Sequence, residues 1–327
     1  MLFSLLTMDF LSKPLWMWLG FLVLVLLLLV FDLGVLNRKD HVIGVRESLG
    51  LSLFYITLGL IFGGWVWFSL GHQKGVEYLT GFVVEKTLAM DNVFVIAMIF
   101  GYFAIPRMYQ HRVLVWGILG VIVLRGIMIG LGAALINQFA WILYVFGAFL
   151  VFTGVKMMWL ADRPSADIGQ NPVLRLMRRL FHVTDDLHGP DFFARQPHPV
   201  TGKSLLCVTP LFLALVLIEM ADVIFAVDSV PAIFAITTDP YIVYTSNIFA
   251  VLGLRALYFA LAAMISRFHY LKYALAVVLV FIGGKILVAD MMGWQKFPAS
   301  LSLAITFAIL AGGIVYSLMK TRNRPAG

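Results

Sequence analysis

Apolar residues in this chain come in long blocks, with none of the strict alternation of a half-buried strand. Nine blocks reach the roughly 20 residues that a bilayer-spanning helix needs: 15 to 36, 48 to 70, 76 to 102, 111 to 134, 139 to 160, 205 to 236, 241 to 265, 271 to 291 and 298 to 319. The pattern predicts an all-α polytopic membrane protein of about nine transmembrane helices, a single integral membrane domain over residues 1 to 327. Without apolar segments of dyad period, an outer-membrane barrel is excluded.

Polar positions inside these blocks are few and ordered. EKTLAMDNV in the third block holds Glu85, Asp91 and Asn92, and DVIFAVDSV in the sixth holds Asp222, Asp228 and Ser229. Each copy puts two carboxylates six positions apart and follows the second with a small polar residue and a valine. An Asp at mid-bilayer costs roughly 2.5 to 3.5 kcal/mol on insertion scales, so such residues mark ion or proton paths. The echo continues downstream. VLRG with Arg125 and VFTGVK with Lys156 follow the first pair, and GLRA with Arg255 and VFIGGK with Lys285 follow the second. Matched positions are offset by 137, 130 and 129 residues, so the copies differ mainly in loop length. Each copy covers three blocks, 76 to 160 and 205 to 291, joined by a loop over 161 to 204. Three is odd, so the second copy enters the membrane from the opposite side. Inverted repeats of this kind are characteristic of secondary transporters, which bind substrate near the midplane where the repeats meet.

Composition agrees with the membrane reading: 61% of the 327 residues are hydrophobic and 13% charged, with mean hydropathy +0.96. The net charge of +7 does not indicate nucleic acid, because sixteen of the 24 Lys and Arg gather in the loops of one side and three on the other. By the positive-inside rule the N-terminus is expected outside and the C-terminus in the cytoplasm. The first block has only Lys13 before it and no small-residue cleavage site after it, so an uncleaved anchor is favoured over a signal peptide. Cys207 is the single cysteine, which excludes an intramolecular disulfide and any multi-cysteine metal site within one chain.

Seven residues is nearly two helical turns, so Glu85 and Asn92 share a face, as do Asp222 and Ser229, and Glu219 lies three before Asp222. Asp91 and Asp228 fall about 100° off those stripes. The candidate metal ligands are Glu85, Asp91, Asn92, Glu219, Asp222, Asp228 and Ser229, a set of hard oxygens. Pro231 makes the sixth block a candidate broken helix whose freed carbonyls, around Phe225 to Asp228, join that set. Lys86, Arg125, Lys156, Arg255 and Lys285 are read as charge partners or gates; buried charges survive by pairing. Met90 and Met220 are read as packing. The seven histidines, at 41, 72, 111, 182, 188, 198 and 269, fall at block ends or in loops. Carboxylate and carbonyl oxygens suit Mg, Ca or Mn, whereas zinc and copper favour imidazole or thiolate. LRLMRRLF in the long loop is a short basic amphipathic run suited to an anionic leaflet.

GFVVEKTLAMDNVFV at 81 to 95, RVLVWGILGVIVLR at 112 to 125, YVFGAFLVFTGVKM at 144 to 157 and EMADVIFAVDSVPAIFAITTDPYIV at 219 to 243 resemble the TerC family, its Alx branch above all. The likeness covers about nine-tenths of the chain and departs at no acidic position. The family is grouped with LysE-type exporters. The resemblance implies a bacterial inner-membrane protein that exports Mn2+, with older associations with tellurite resistance and redox modulation, and carries the family's membrane acids onto Glu85, Asp91, Glu219, Asp222 and Asp228.

These observations converge on a secondary-active exporter of a hard divalent cation, with no resident cofactor and no enzymatic activity. No GxxxxGK[ST] motif occurs, so coupling to inward movement of protons or sodium is expected. An intramembrane aspartyl protease is disfavoured because neither Asp91 nor Asp228 stands in a GxGD context. A redox or stress-response component lacks a dithiol and intramembrane histidines. Tellurite oxyanions would be repelled by the acids.

Overall fold

The computed structural model describes residues 7 to 11, 13 to 31, 44 to 139, 141 to 160, 168 to 197, 204 to 261, 270 to 291 and 297 to 321. It is an all-α membrane architecture with two small antiparallel hairpins. The first hairpin, β1 (Asp9–Phe10) with β2 (Lys13–Pro14), leads into α1 (Leu15–Phe31). Then come α2 (Val45–Leu70), α3 (His72–Tyr102), α4 (Arg107–Gln138) and α5 (Ile142–Leu160). After α6 (Pro172–Leu180) and the hairpin β3 (Phe193–Pro197) with β4 (Ser204–Val208) follow α7 (Pro210–Phe234), α8 (Pro240–Leu252), α9 (Leu254–Leu261), α10 (Leu271–Met291) and α11 (Ala299–Thr321).

Among the described residues seven helical segments are long and apolar enough to cross a membrane, with α8 and α9 together forming one of them. The shorter α1 is apolar over 17 residues. α3 has ample length at 31 residues but carries Glu77, Glu85, Lys86 and Asp91 within it. Among the described residues each of the nine apolar blocks overlaps helix, and the structure corrects their detail in three places. First, residues 204 to 208 form β4, and the helix of the sixth block starts only at Pro210. Proline suits that first turn because its missing N–H is one that a helix start leaves unpaired anyway. Second, α7 runs unbroken through Asp228 to Phe234, so no turn is unwound, and of the carbonyls between 225 and 228 only that of Val227 loses its helical donor, to the missing N–H of Pro231. Pro231 stands about one turn before the C-terminal end, and the helix carries on past it to Phe234. Third, the break falls in the seventh block, at Gly253 between α8 and α9. A Cβ there would lie 2.7 Å from Lys86 Nζ and 3.1 Å from Tyr55 Cβ.

Helix pairing follows a regular scheme. α3 packs on α8, α4 on α7, and α5 most extensively on α10. Glycines allow the α5–α10 contact: a Cβ on Gly154 would come 2.7 Å from the Ala276 carbonyl oxygen, and one on Gly147 3.1 Å from that of Gly283. Close backbone approach through small residues is the usual means of helix association in lipid. Every residue of α8 is buried. α1 seals one side of it, with Trp18 edge-on to Tyr241 at 5.2 Å and Phe21 edge-on to Phe249 at 5.8 Å. Large apolar side chains such as Phe68 (90% exposed) and Trp159 (82%) point outward, as lipid-facing positions do.

The expected loop over 161 to 204 is partly structured. α6 realises the basic amphipathic run, burying Leu174 and leaving Leu176, Leu180, Arg178 and Arg179 exposed. Asp32, His41, His198 and His269 lie outside the described residues.

Candidate ion site between the acidic helices

Arg125, from the middle of α4, is 1% exposed and organises the centre of the molecule. Its Nε donates to Asp222 Oδ2 at 3.0 Å and its Nη2 to Asp222 Oδ1 at 2.8 Å, a bidentate pair. Its Nη1 donates to Glu85 and, at 2.9 Å, to Asn247 Oδ1. Ser229 Oγ lies 3.5 Å from the same nitrogen. Asn92 adds a donor to Asp222 Oδ1 at 3.2 Å. One guanidinium therefore joins carboxylates from α3 and α7 and an amide from α8. The planar fork matches carboxylate geometry, and a buried ion pair needs such additional hydrogen bonds to offset desolvation. Helix periodicity explains the convergence, since Glu85 and Asn92 occupy one face of α3, and Asp222 and Ser229 one face of α7.

Asp91 and Asp228, off those faces, open onto a neighbouring cavity of about 280 Å³. Lys156 and Thr153 of α5 line it, together with the Arg125 cluster and an apolar wall that includes Met157 and Leu279. Asp228 Oδ1 accepts from Thr153 Oγ1 at 3.1 Å. The acids thus form two adjoining groups, one clamped by Arg125 and one facing open space. Among the described residues no three Asp, Glu, His or Cys side chains stand together at metal-holding distance. The guanidinium occupies the ground between Glu85 and Asp222.

The remaining sequence candidates are dispersed. Lys86 Nζ donates to the Ala250 carbonyl at 3.0 Å, beside the break at Gly253. Arg255 contacts His111 at 2.6 Å and borders a small pocket of about 30 Å³ that also touches Asp222 and Asn92. Lys285 donates to Ser302 Oγ of α11 at 2.9 Å. Lys86 and Lys285 thus meet a carbonyl and a hydroxyl, and Arg255 meets His111 beside the pocket it shares with Asp222, while Arg125 and Lys156 line the cavity of Asp91 and Asp228. Glu219 stands apart, both its oxygens buried without a hydrogen-bond partner. Met90 packs in an apolar cluster and Met220 is 37% exposed.

Asn247 and Thr153 were missed from the sequence. The signal for Asn247 was its place in the polar triplet Thr245-Ser246-Asn247 within an apolar block; Thr153 carried none. A second polar network, also unforeseen, ties helix ends together. Thr237 Oγ1 donates to Glu77 at 2.6 Å, Lys74 bridges Glu77 at 2.9 Å and Asp239 at 3.5 Å, and Lys13 reaches Asp239 at 3.2 Å.

Fold and site define a polytopic helical membrane protein with a charged cluster enclosed between its helices. The chain belongs to the TerC family of integral membrane proteins, whose profile it matches over residues 70–325. It is 48% identical over 312 residues, 93% of this chain and 94% of the relative, to an Escherichia coli K12 protein provisionally named membrane-bound redox modulator Alx. A membrane protein of Myxococcus xanthus is 45% identical over 94% of each chain. One of Rickettsia bellii is 46% identical over 93% of this chain and 97% of its own. No solved structure matches.

Proposed function

We propose that this chain is a secondary-active exporter of a hard divalent cation, Mn2+ above all, working by alternating access of two inverted three-helix repeats, 76 to 160 and 205 to 291. The observation that carries the reading is the pairing of Glu85 and Asp222, one from each acidic helix, on a single buried arginine beside a cavity that holds Asp91 and Asp228. Arg125 acts as a tethered cation. It keeps two carboxylates neutralised while no ion is bound, and an incoming divalent cation competes for the same oxygens. Asp91 and Asp228 receive the ion from the cavity; Asn92 and Ser229 adjoin them.

The repeat reading draws support from the helix contacts. The first helix of one copy packs on the second helix of the other, twice over, and the two third helices pack on each other. A pseudo-two-fold axis generates that pattern. The basic loops support an N-terminus outside and a cytoplasmic C-terminus, and on this reading the ion is moved from the cytoplasm across the inner membrane. The relatives' provisional name brings in redox chemistry. Cys207 is buried and the only cysteine, so dithiol exchange within one chain is not available, and redox effects follow more simply from metal imbalance.

The test is Mn2+ flux in proteoliposomes, with and without a proton gradient, for wild type, Asp91→Asn and Asp228→Asn. Gradient-dependent flux in wild type and its loss in both variants, with insertion intact, is the expected result. Flux unchanged in both variants would overturn the site. No flux of any divalent ion in sealed, correctly oriented vesicles would overturn the transport reading.

A further inference from the structure

The polar network at the helix ends bridges the two copies. Glu77 stands in the second turn of α3, and Thr237 and Asp239 in the turn between α7 and α8. Glu77 Oε2 accepts from Thr237 Oγ1 at 2.6 Å and from Lys74 Nζ at 2.9 Å, and its Oε1 accepts from Gln73 at 3.1 Å. Lys74 also reaches Asp239 at 3.5 Å. Asp239 in turn caps α8, accepting from the Tyr241 N–H at 3.1 Å, and holds Lys13 of β2 at 3.2 Å, which ties the N-terminal hairpin to the same joint. Lys285 of α10 is near enough to feel the charge of Glu77, while Asp9 and His72 are exposed. The side chains of Glu77 and Asp239 are only 5% and 9% exposed. Ion pairs open to water hold little, but removing one partner of a buried pair leaves the other uncompensated, so this joint resists parting until all its members move together.

The cavity of Asp91 and Asp228 extends the other way. It runs to Lys156, Met157 and Leu160 in the last turn of α5, and consecutive spanning helices alternate in direction, so that turn lies where α3 finishes, at the α6 end. Glu77 precedes Glu85 by eight residues, about 12 Å of helix toward the opposite end. There the helices close tightly: a Cβ on Gly81 would come 3.0 Å from Ser246 Oγ, and one on Gly132 2.7 Å from the Phe234 ring. Ala232 and Ile233 are wholly buried. We propose that Glu77, Thr237, Asp239 and Lys74 are the latch of the ion path, holding α3 to the α7–α8 turn while the acids face the α6 end and parting when the cavity closes there. The inference rests on the exporter reading above. Rocking one copy against the other about a midplane site separates them at one end as it joins them at the other, and these residues are the polar contacts that separation must break. None of them belongs to the metal-ligand set. Lys74, 30% exposed, is the member that water reaches first.

The full-length protein is placed in sealed vesicles of known orientation. Thr153→Cys, on a Cys207→Ser background, puts a thiol on the cavity wall, and a membrane-impermeant maleimide is applied from one face at a time. With the latch intact, labelling is expected from the α6 face and not from the opposite one. Adding Glu77→Gln and Asp239→Asn is expected to raise labelling from the opposite face several-fold. No excess of α6-face labelling with the latch intact, or no rise in the variant, overturns the proposal. In a second arm, Lys74→Cys and Asp239→Cys on the same background are bridged by a short bis-thiosulfonate reagent. Mn2+ flux is expected to stop on bridging and to return with dithiothreitol, while each single variant is unaffected by the reagent. Undiminished flux through the bridged protein, or equal inhibition of a single variant, overturns the latch and leaves the exporter standing. Absence of Mn2+ flux in wild type overturns the exporter, and the labelling arm still decides whether these residues close that end.

Discussion

Arg125 is the residue on which the centre of the molecule depends. It touches both acidic helices and α8. Replacing it by leucine leaves Glu85 and Asp222 buried and uncompensated, a loss on the order of 3–5 kcal/mol for a buried pair broken from one side. Thermal unfolding of the detergent-solubilised protein reads this directly, and Arg125→Leu is expected to unfold well below wild type. Arg125→Lys keeps the charge but not the bidentate fork, so it is expected to fall between the two. The clamped acids were legible in the sequence because a carboxylate in an apolar block is costly enough to need a reason. Which cation would serve them was not. Five candidates stood in the blocks, and rotation about each helix axis decided that Arg125 clamps Glu85 and Asp222 and that Lys156 lines the cavity of Asp91 and Asp228.

Among the elements, α5 and α10 make the most extensive contact, and they do so through glycine. Gly154→Val would push a branched side chain against the Ala276 carbonyl and Val280, and overpacking of that kind costs typically about 1–3 kcal/mol. Gly284 is its natural control, since a Cβ there meets nothing within 4 Å. Gly284→Ala is expected to unfold at or slightly above the wild-type temperature, because alanine favours the helix, and Gly154→Val below it in the same thermal assay. The VF-x-G-x-K motif was legible as a repeat, but not as a helix contact. Proline misled for a related reason. Pro231 marks a helix end here, and the true interruption fell at Gly253, where Lys86 and Tyr55 fill the space a side chain would need. Only neighbours in space reveal that crowding. The β3–β4 hairpin was hidden because SLLCV reads as the continuation of an apolar block.

For the whole molecule, the proposed arrangement places basic loops and both α6 and the C-terminus on the cytoplasmic side. A fluorescent reporter that matures only in the cytoplasm, fused after Gly327, is expected to be bright, and a periplasm-dependent phosphatase at the same point inactive. The reverse result would invert the direction assigned to transport. The scheme of helix contacts across the two copies gives this prediction a structural counterpart, because an inverted repeat requires each copy to begin on the opposite side.

From sequence alone came the membrane class, the approximate place of the apolar helices, the paired acidic motifs and their repetition, since hydrocarbon thickness and the cost of intramembrane charge act on residues one segment at a time. The tertiary structure decided which charges meet. It joined Glu85 to Asp222 through Arg125, opened the cavity to Asp91 and Asp228, and left both oxygens of Glu219 without a hydrogen-bond partner. Those outcomes depend on how helices rotate and pack against one another, and no single helix encodes its neighbour's face.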